Sequence, residues 1–280
     1  RRHCERFRAD GVDVVCLHRD SREGFKSGAL AAGLQSATGE LVAIFDADFA
    51  PAPDFLRRTV HHFTDERVGV VQAEWRHLNR DESLLTQCQA MFLDGHLVLE
   101  QAIRARTGRW FNFNGTAGLW RRTCIDEAGG WRHDTLTEDT DLSYRAQLAG
   151  WRFVYLPDVH ADAELPSTMT AFLSQQHRWT RGLLQCAVKL IPRILASKAP
   201  LRVKAEAFFH LTAPFMYMVM FVLAAIAVPA TFVALPLSQL RGAPAWAIGS
   251  AVLLGGTLAA AVFVLVAQRA AGQSVWRTLA

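Results

Sequence analysis

The chain is sparing with cysteine and, over two long stretches, has no charge at all. Its five cysteines (Cys4, Cys16, Cys88, Cys124 and Cys186) show neither metal-like pairing nor the framework of a disulfide-stapled domain. Reduced thiols in a cytosolic domain are the simplest account. There is no Asp, Glu, Lys or Arg between Ala207 and Leu240, and none again from Gly242 to Gln268. A membrane-spanning helix needs about 20 apolar residues, and both stretches are long enough. The alternative, a pair of buried core helices, normally carries some polar stripe over such a length. Internal repeats, low-complexity segments, an initiator Met and a signal peptide are also missing. The abrupt start at Arg1 and end at Ala280 read as a fragment cut at both ends.

What remains is charged and patterned. The chain has 280 residues, 51% of them hydrophobic, which suffices for one sizeable soluble domain and a little more. The net charge of +4 is modest, and no nucleic-acid partner is expected. The basic excess gathers between Arg178 and Lys204, just ahead of the first uncharged stretch, and Arg269 and Arg277 follow the second. Basic residues flanking a span mark its cytoplasmic side. A hairpin of two spans therefore places the large domain and the C-terminus in the cytoplasm of an integral membrane protein, with Arg241 a small opposing term. The expected organisation is an α/β domain over 1–165, amphipathic interface helices over 166–206, two transmembrane helices over 207–268, and the cytoplasmic start of a further segment over 269–280.

Within the first domain, Val12 to Leu17 predicts a short buried strand, and Ser27 to Ser36 a helix. Leu41 to Phe45 is a continuous apolar run before acidic residues, the pattern of a central parallel strand. Asp54 predicts a helix N-cap, Val68 to Gln72 a further strand, and Ser83 to Ala102 a long helix. Strands alternating with helices imply an α/β sheet whose ligands gather at the carboxyl ends of the strands. From Pro166 to Glu206, apolar residues recur at helical spacing with Arg181, Lys189, Arg193 and Lys198 between them. That suits amphipathic helices on an anionic membrane surface, or an ordinary surface helix packed on the domain.

Four segments carry candidate chemistry. Asp46 and Asp48 end the apolar run, and residues two apart in a strand share a face. Two such carboxylates can meet one hard divalent cation, Mg²⁺ or Mn²⁺, that keeps waters and takes phosphate oxygens; a solvated acidic turn gives the same pattern. Thr137-Glu138-Asp139, with Asp141, crowds carboxylates whose repulsion raises proton affinity. Glu138 or Asp139 is then a candidate general base, against the alternative of an acidic first turn of a helix. In Gln175-Gln176-His177-Arg178-Trp179, the Arg offers a planar fork for phosphate and the Trp a face for a sugar ring; both also suit a lipid interface. The loop from Phe111 to Gly118 mixes aromatics, amides and glycines, and can bring backbone close to a carbohydrate. Lys26, near a helix start, is placed to meet a phosphate or ribose.

Together these motifs resemble the processive inverting family 2 glycosyltransferases, such as cellulose, mannan, curdlan, chitin and hyaluronan synthases. The stretches AIFDADFAPAPDFL, FNFNGTAGLWR, TLTEDTDLSYRAQLAGW and ELPSTMTAFLSQQHRW are most similar to the cellulose-synthase-like branch with glucomannan and mannan synthases. The resemblance covers nearly all of residues 11–215. It implies a GT-A fold, truncated at its N-terminus, because the first nucleotide-binding strand should precede residue 1. It implies Asp48 as metal ligand, Asp46 and Lys26 near the nucleotide sugar, and Asp139 as base beside Glu138. Gln175, Gln176, Arg178 and Trp179 would line the acceptor and diphosphate site, and Phe113, Asn114 and Gly115 would border the acceptor sugar. The implied partners are a nucleotide-sugar donor (UDP-glucose or GDP-mannose), a polysaccharide acceptor and a lipid bilayer. Single transfer to a lipid carrier is the alternative activity.

Overall fold

The computed structural model describes residues 2–223, 225, 226 and 258–274. The chain begins with α1 (Arg2–Ala9) and α2 (Phe25–Ser36), then β1 (Leu41–Ile44), β2 (Phe49–Pro51), α3 (Phe55–Thr59) and a 3₁₀ turn, Val60–Thr64. Next come β3 (Val68–His77), α4 (Leu84–Asp94), a π-helical segment (Gly95–Gln101) and α5 (Ala102–Arg106). The remainder of the domain is β4 (Gly118–Arg121), α6 (Arg122–Glu127), α7 (Glu138–Leu148) and β5 (Arg152–Ala163), followed by α8 (Met169–Ala196) and α9 (Leu201–Thr212). Helices α10 (Phe215–Leu223) and α11 (Leu258–Ala270) are apolar.

Among the described residues five strands form one mixed sheet in the order β1-β4-β3-β5-β2. Only the β3–β5 pair is parallel; β1–β4, β3–β4 and β2–β5 are antiparallel. The first part of β3, Val68 to Val71, is apolar without alternation because both faces are covered there. On one side Val70, Trp120 and Phe153 pack with Phe111, Phe113 and Leu142. On the other Val71, Ala73 and Leu119 pack with Phe55 and Phe63.

Several expectations need correction. Val12 to Leu17 forms no strand: it pairs with no described strand, and Val12, Val15 and Leu17 are exposed. The only neighbour of the Leu41 run among the described residues is the antiparallel strand β4. Asp54 does sit at the start of α3, but its side chain makes no capping hydrogen bond. The long helix from Ser83 is broken. Ser83 and Thr86 form a reciprocal capping box at its start, and the ladder slips into π geometry at Gly95.

The region from 166 to 206 is helical. It is one 28-residue helix, α8, and the start of α9. The inner face of α8 (Cys186, Ala187, Leu190 and Ile194) is buried against Tyr144 of α7 and Ala207 and Leu211 of α9, so that face serves the domain and not a membrane. No single helix among the described residues is long and apolar enough to cross a membrane, while α9 and α10, bent by 68°, pass that test jointly. Residues 227–257, about half of the expected two-span stretch 207–268, lie outside the described residues.

Asp141 is structural. It is fully buried, with Arg145 Nη2 at 2.7 Å and Lys189 Nζ at 2.8 Å, which joins α7 to α8. Removing one partner of a buried ion pair leaves the others uncompensated. Asp141→Ala is therefore expected to lower unfolding free energy by about 3–5 kcal/mol, read by denaturant unfolding.

Candidate active site

Four chain segments converge at the end of β1. Lys26, on the first turn of α2, donates to Asp46 Oδ1 at 2.5 Å and to the Gly115 carbonyl at 3.0 Å. The Asp46 backbone N–H donates to Thr116 Oγ1 at 2.8 Å. Asp46 and Asp48 lie past the last residue of β1, in the turn to β2, so strand alternation does not place them on a common face. Asp46 is half-buried and held by Lys26; Asp48 is exposed.

The loop 111–117 is positioned from below and behind. Buried Gln72 donates through Nε2 to Ala73 O, Thr116 O and Ala117 O at 2.8–3.1 Å, and accepts from the Asn114 N–H at 2.9 Å. Ser143 Oγ accepts from the Phe113 N–H and donates to the Asp139 carbonyl. Gln147 both donates to and accepts from the Phe111 backbone. At the apex, Gly115 has φ +83°, and a Cβ there would lie 3.0 Å from Asp139 Oδ2 and 3.6 Å from Lys26 Nζ. A glycine therefore lets the loop touch base candidate and lysine together.

Glu138 and Asp139 form the N-terminal turn of α7. Both are half-buried. Burial first, and the neighbouring Glu138 second, push the Asp139 carboxyl up to about 7. Burial also raises Glu138, with Asp46 adding to the rise, while Lys26 and Arg178 oppose it. Arg178 thus acts on the Glu138 charge from the third turn of α8. That closeness depends on Gly182, where a Cβ would meet Thr137 Cγ2 at 2.6 Å and Thr137 N at 2.8 Å. Gln175, Gln176 and Trp179 are half-buried, and Arg178 and His177 are exposed.

The structure brings Lys26, Asp46, Gly115, Glu138 and Asp139 together, with Arg178 within electrostatic reach. It does not bring the Phe113 ring to the cleft: this side chain is 2% exposed and packs edge-on against Trp120 in the core. Asn114 is half-buried, its side-chain oxygen accepting from Asn112. Sequence reasoning missed Gln72, Thr116, Ser143, Gln147 and Gly182. Thr116 lies within the 111–118 loop already marked by its composition, Gln72 is an amide within the apolar run from Val68, and Ser143, Gln147 and Gly182 carry no signal in the sequence.

The donor set suits a cation that takes few protein oxygens. No cluster of three or more His, Cys, Asp or Glu able to hold a metal occurs among the described residues. Exposed Asp48 is in none of the ion pairs formed among them, so its carboxylate is open to a cation completed by diphosphate oxygens and water.

Comparison with known proteins settles the class. The family described as "Glycosyltransferase like family 2" matches residues 3–182. The chain belongs to this family. Among curated relatives of this family 2 domain, glucomannan 4-beta-mannosyltransferase 1 of Oryza sativa subsp. japonica is 47% identical over 199 residues. The match covers 70% of this chain and 38% of that protein. Glucomannan 4-beta-mannosyltransferase 2 of Arabidopsis thaliana is 46% identical over 199 residues, covering 70% and 37%. The chain thus spans well under half the length of these relatives.

Among solved structures, the mannosyltransferase PcManGT from Pyrobaculum calidifontis, in complex with GDP-Man and Mn²⁺, superposes with a TM-score of 0.52. Identity there is 22%, over 92% of this chain and 66% of that one. S. aureus TarS 1-349 in complex with UDP-GlcNAc gives a TM-score of 0.52 at 15% identity, over 76% and 59%. These likenesses show the fold: the family 2 domain is a GT-A glycosyltransferase domain with a mixed sheet.

The close approach at Gly182 is testable. Gly182→Ala is expected to push α8 away from Thr137 and lower sugar transfer by on the order of 10²-fold through misplacement, with nucleotide binding kept. Transfer rates and nucleotide titration of the full-length protein check it.

Proposed function

We propose that this family 2 domain transfers a hexose, with inversion, from a nucleotide sugar to the end of a growing β-linked polysaccharide at a membrane. One observation carries the reading. Asp139, with its proton affinity raised to about 7, faces the Gly115 turn that Lys26 ties to Asp46. A carboxylate tuned to that range accepts a hydroxyl proton near neutral pH.

Asp139 takes the proton of an acceptor hydroxyl as its oxygen forms a bond to the anomeric carbon. The bond from that carbon to the donor diphosphate breaks, and attack from the opposite side converts an α-linked donor into a β-linkage. Lys26 and Arg178 place positive charge where the leaving diphosphate gathers negative charge. Trp179 and the half-buried Gln175, Gln176 and Asn114 border the acceptor. When bound, Mg²⁺ or Mn²⁺ at Asp48 supplies further charge neutralisation for the diphosphate.

The names of the curated relatives favour mannose, hence GDP-mannose, over UDP-glucose as donor, and a 4-β linkage. The uncharged stretches 207–240 and 242–268, with basic residues on their flanks, support an integral membrane protein with its catalytic domain on the cytoplasmic side. In this reading 1–165 is the transferase domain, 166–206 the interface segment with Gln175–Trp179, 207–268 two spans, the second ending against the domain where Phe263 and Gln268 meet Gly95 and Asp94, and 269–280 the start of a further cytoplasmic segment.

The test supplies membranes carrying the full-length protein with each labelled donor in turn and analyses the product. Mannose in a β-1,4 polymer is expected; a single sugar on a lipid carrier overturns the polymer reading. Asp139→Asn is expected to lower transfer by roughly 10²–10⁴-fold while nucleotide binding persists, and transfer at a near-normal rate overturns the base assignment. The pH profile follows from the direction of the shift. Protonation below about 7 removes the base, so log(kcat/KM) falls by about one per pH unit on the acid side and levels off above. Asp139→Asn removes that limb.

A further inference from the structure

Helix α11 is apolar on its outer side, where Leu258, Val262 and Val266 are exposed. Its inner side ends in a buried amide: Ala267 is 0% and Gln268 1% exposed. The Gln268 side-chain N–H donates to Asp94 Oδ2 at 2.9 Å, and its oxygen accepts from Arg80 Nη2. Arg80 Nη1 donates to the same Asp94 oxygen at 2.7 Å, and His77 Nε2 lies 3.5 Å from the other. Asp94 is 6% exposed. Burial works to raise its pKa, but the contacts from His77, Arg80 and Gln268 outweigh it and hold the carboxyl below the usual range. The amide thus completes a buried carboxylate–guanidinium pair from a segment 174 residues away. Beside it Gly95 admits the Phe263 ring, whose Cε1 would lie 2.7 Å from a Cβ there.

The segment carrying Arg80 also holds the start of α8. Asn79 Oδ1 accepts from the Leu165 N–H at 2.7 Å, and Asn79 Nδ2 donates to the Leu165 carbonyl at 3.0 Å. Gln89 of α4 donates to the Pro166 carbonyl at 2.8 Å. These residues lead directly into α8 and its Gln175–Trp179 segment. We propose that Gln268 is a positioning residue: it pins α11 to Asp94 and Arg80, and through the Asn79–Leu165 clamp fixes where α8 begins. A purely packing role for Gln268 would stop at α11, whereas a pin reaches the start of α8.

The experiment uses hydrogen exchange on the full-length protein in detergent. Gln268→Glu sets a second carboxylate against Asp94. Exchange is expected to rise at least ~10-fold over residues 258–270 and also over 165–176, because an uncompensated buried charge opens the surrounding structure. Asp94→Asn combined with Gln268→Glu moves the charge to position 268, keeps its pair with Arg80 and lets the amide introduced at position 94 donate back. That double variant is expected to return both regions to within about threefold of the parent. Unchanged exchange in Gln268→Glu, loosening confined to 258–270, or no recovery in the double variant each overturns the proposal. A second readout rests on the proposed transfer activity: Gln268→Glu lowers kcat while donor KM holds, and the double variant recovers it. If the parent transfers no sugar, that activity fails by itself, and the exchange data still decide the role of Gln268.

Discussion

Helix α7 buries polar side chains along most of its length, and the arrangement of the site depends on satisfying them. Thr140, Asp141, Ser143, Arg145 and Gln147 are all under 6% exposed. An unpaired buried polar group costs about 1–3 kcal/mol, so each needs a partner, and the partners lie on different elements. Ser143 and Gln147 hold the 111–113 backbone. Arg145 donates to the carbonyls of Ala128 and Gly130, and Asp141 binds Lys189 of α8. Tyr144, in the same run, meets His210 of α9 at 2.7 Å. The 111–113 loop, the turn after α6 and the helices α8 and α9 are thereby fixed against the element that presents Asp139.

This scaffolding explains how a carboxylate at a helix N-terminus has its proton affinity raised. The helix dipole favours the anion by about 0.3–2 kcal/mol. The rise of Asp139 to about 7 corresponds to roughly 4 kcal/mol at about 1.4 kcal/mol per pH unit, so burial and the adjacent Glu138 prevail. Lys26 works in the other direction, but its ammonium is already shared between Asp46 and the Gly115 carbonyl. The lysine thus holds the turn in place while leaving the base poised rather than permanently ionised.

Much of this was legible in the sequence, for reasons that also mark where it stopped being so. The α2 and β3 segments follow their apolar patterns, and Asp46, Lys26 and Asp139 are residue types able to do the chemistry. Strand β5 was missed because RFVYLPDVHADA contains Pro157 and polar residues; its register against β3 shifts between Ala73 and Glu74, which accommodates them. The Leu41 run did form a strand, but its antiparallel pairing with β4 could not be read from apolarity, which says nothing of strand direction. Phe113 was assigned to the cleft by the company it keeps, yet its 2% exposure shows that alternate residues of this loop turn inward. Gln72 and Ser143 carry no motif; their role exists only once the fold brings distant backbone to them.

The same logic separates the two faces of α8. Its inner face is consumed by α7 and α9, so an interface with lipid has only the outward residues to work with, among them Val188 (82% exposed) and Leu195 (52%). Gly182 lies on the inner side, where α8 touches Thr137, and Arg178 lies one helical turn earlier, exposed and acting on Glu138. Moving α8 outward would separate Arg178 from that carboxylate and raise the proton affinity of Glu138 further. The contact between two backbones at Gly182 and Thr137 therefore sets an electrostatic balance as well as a packing distance.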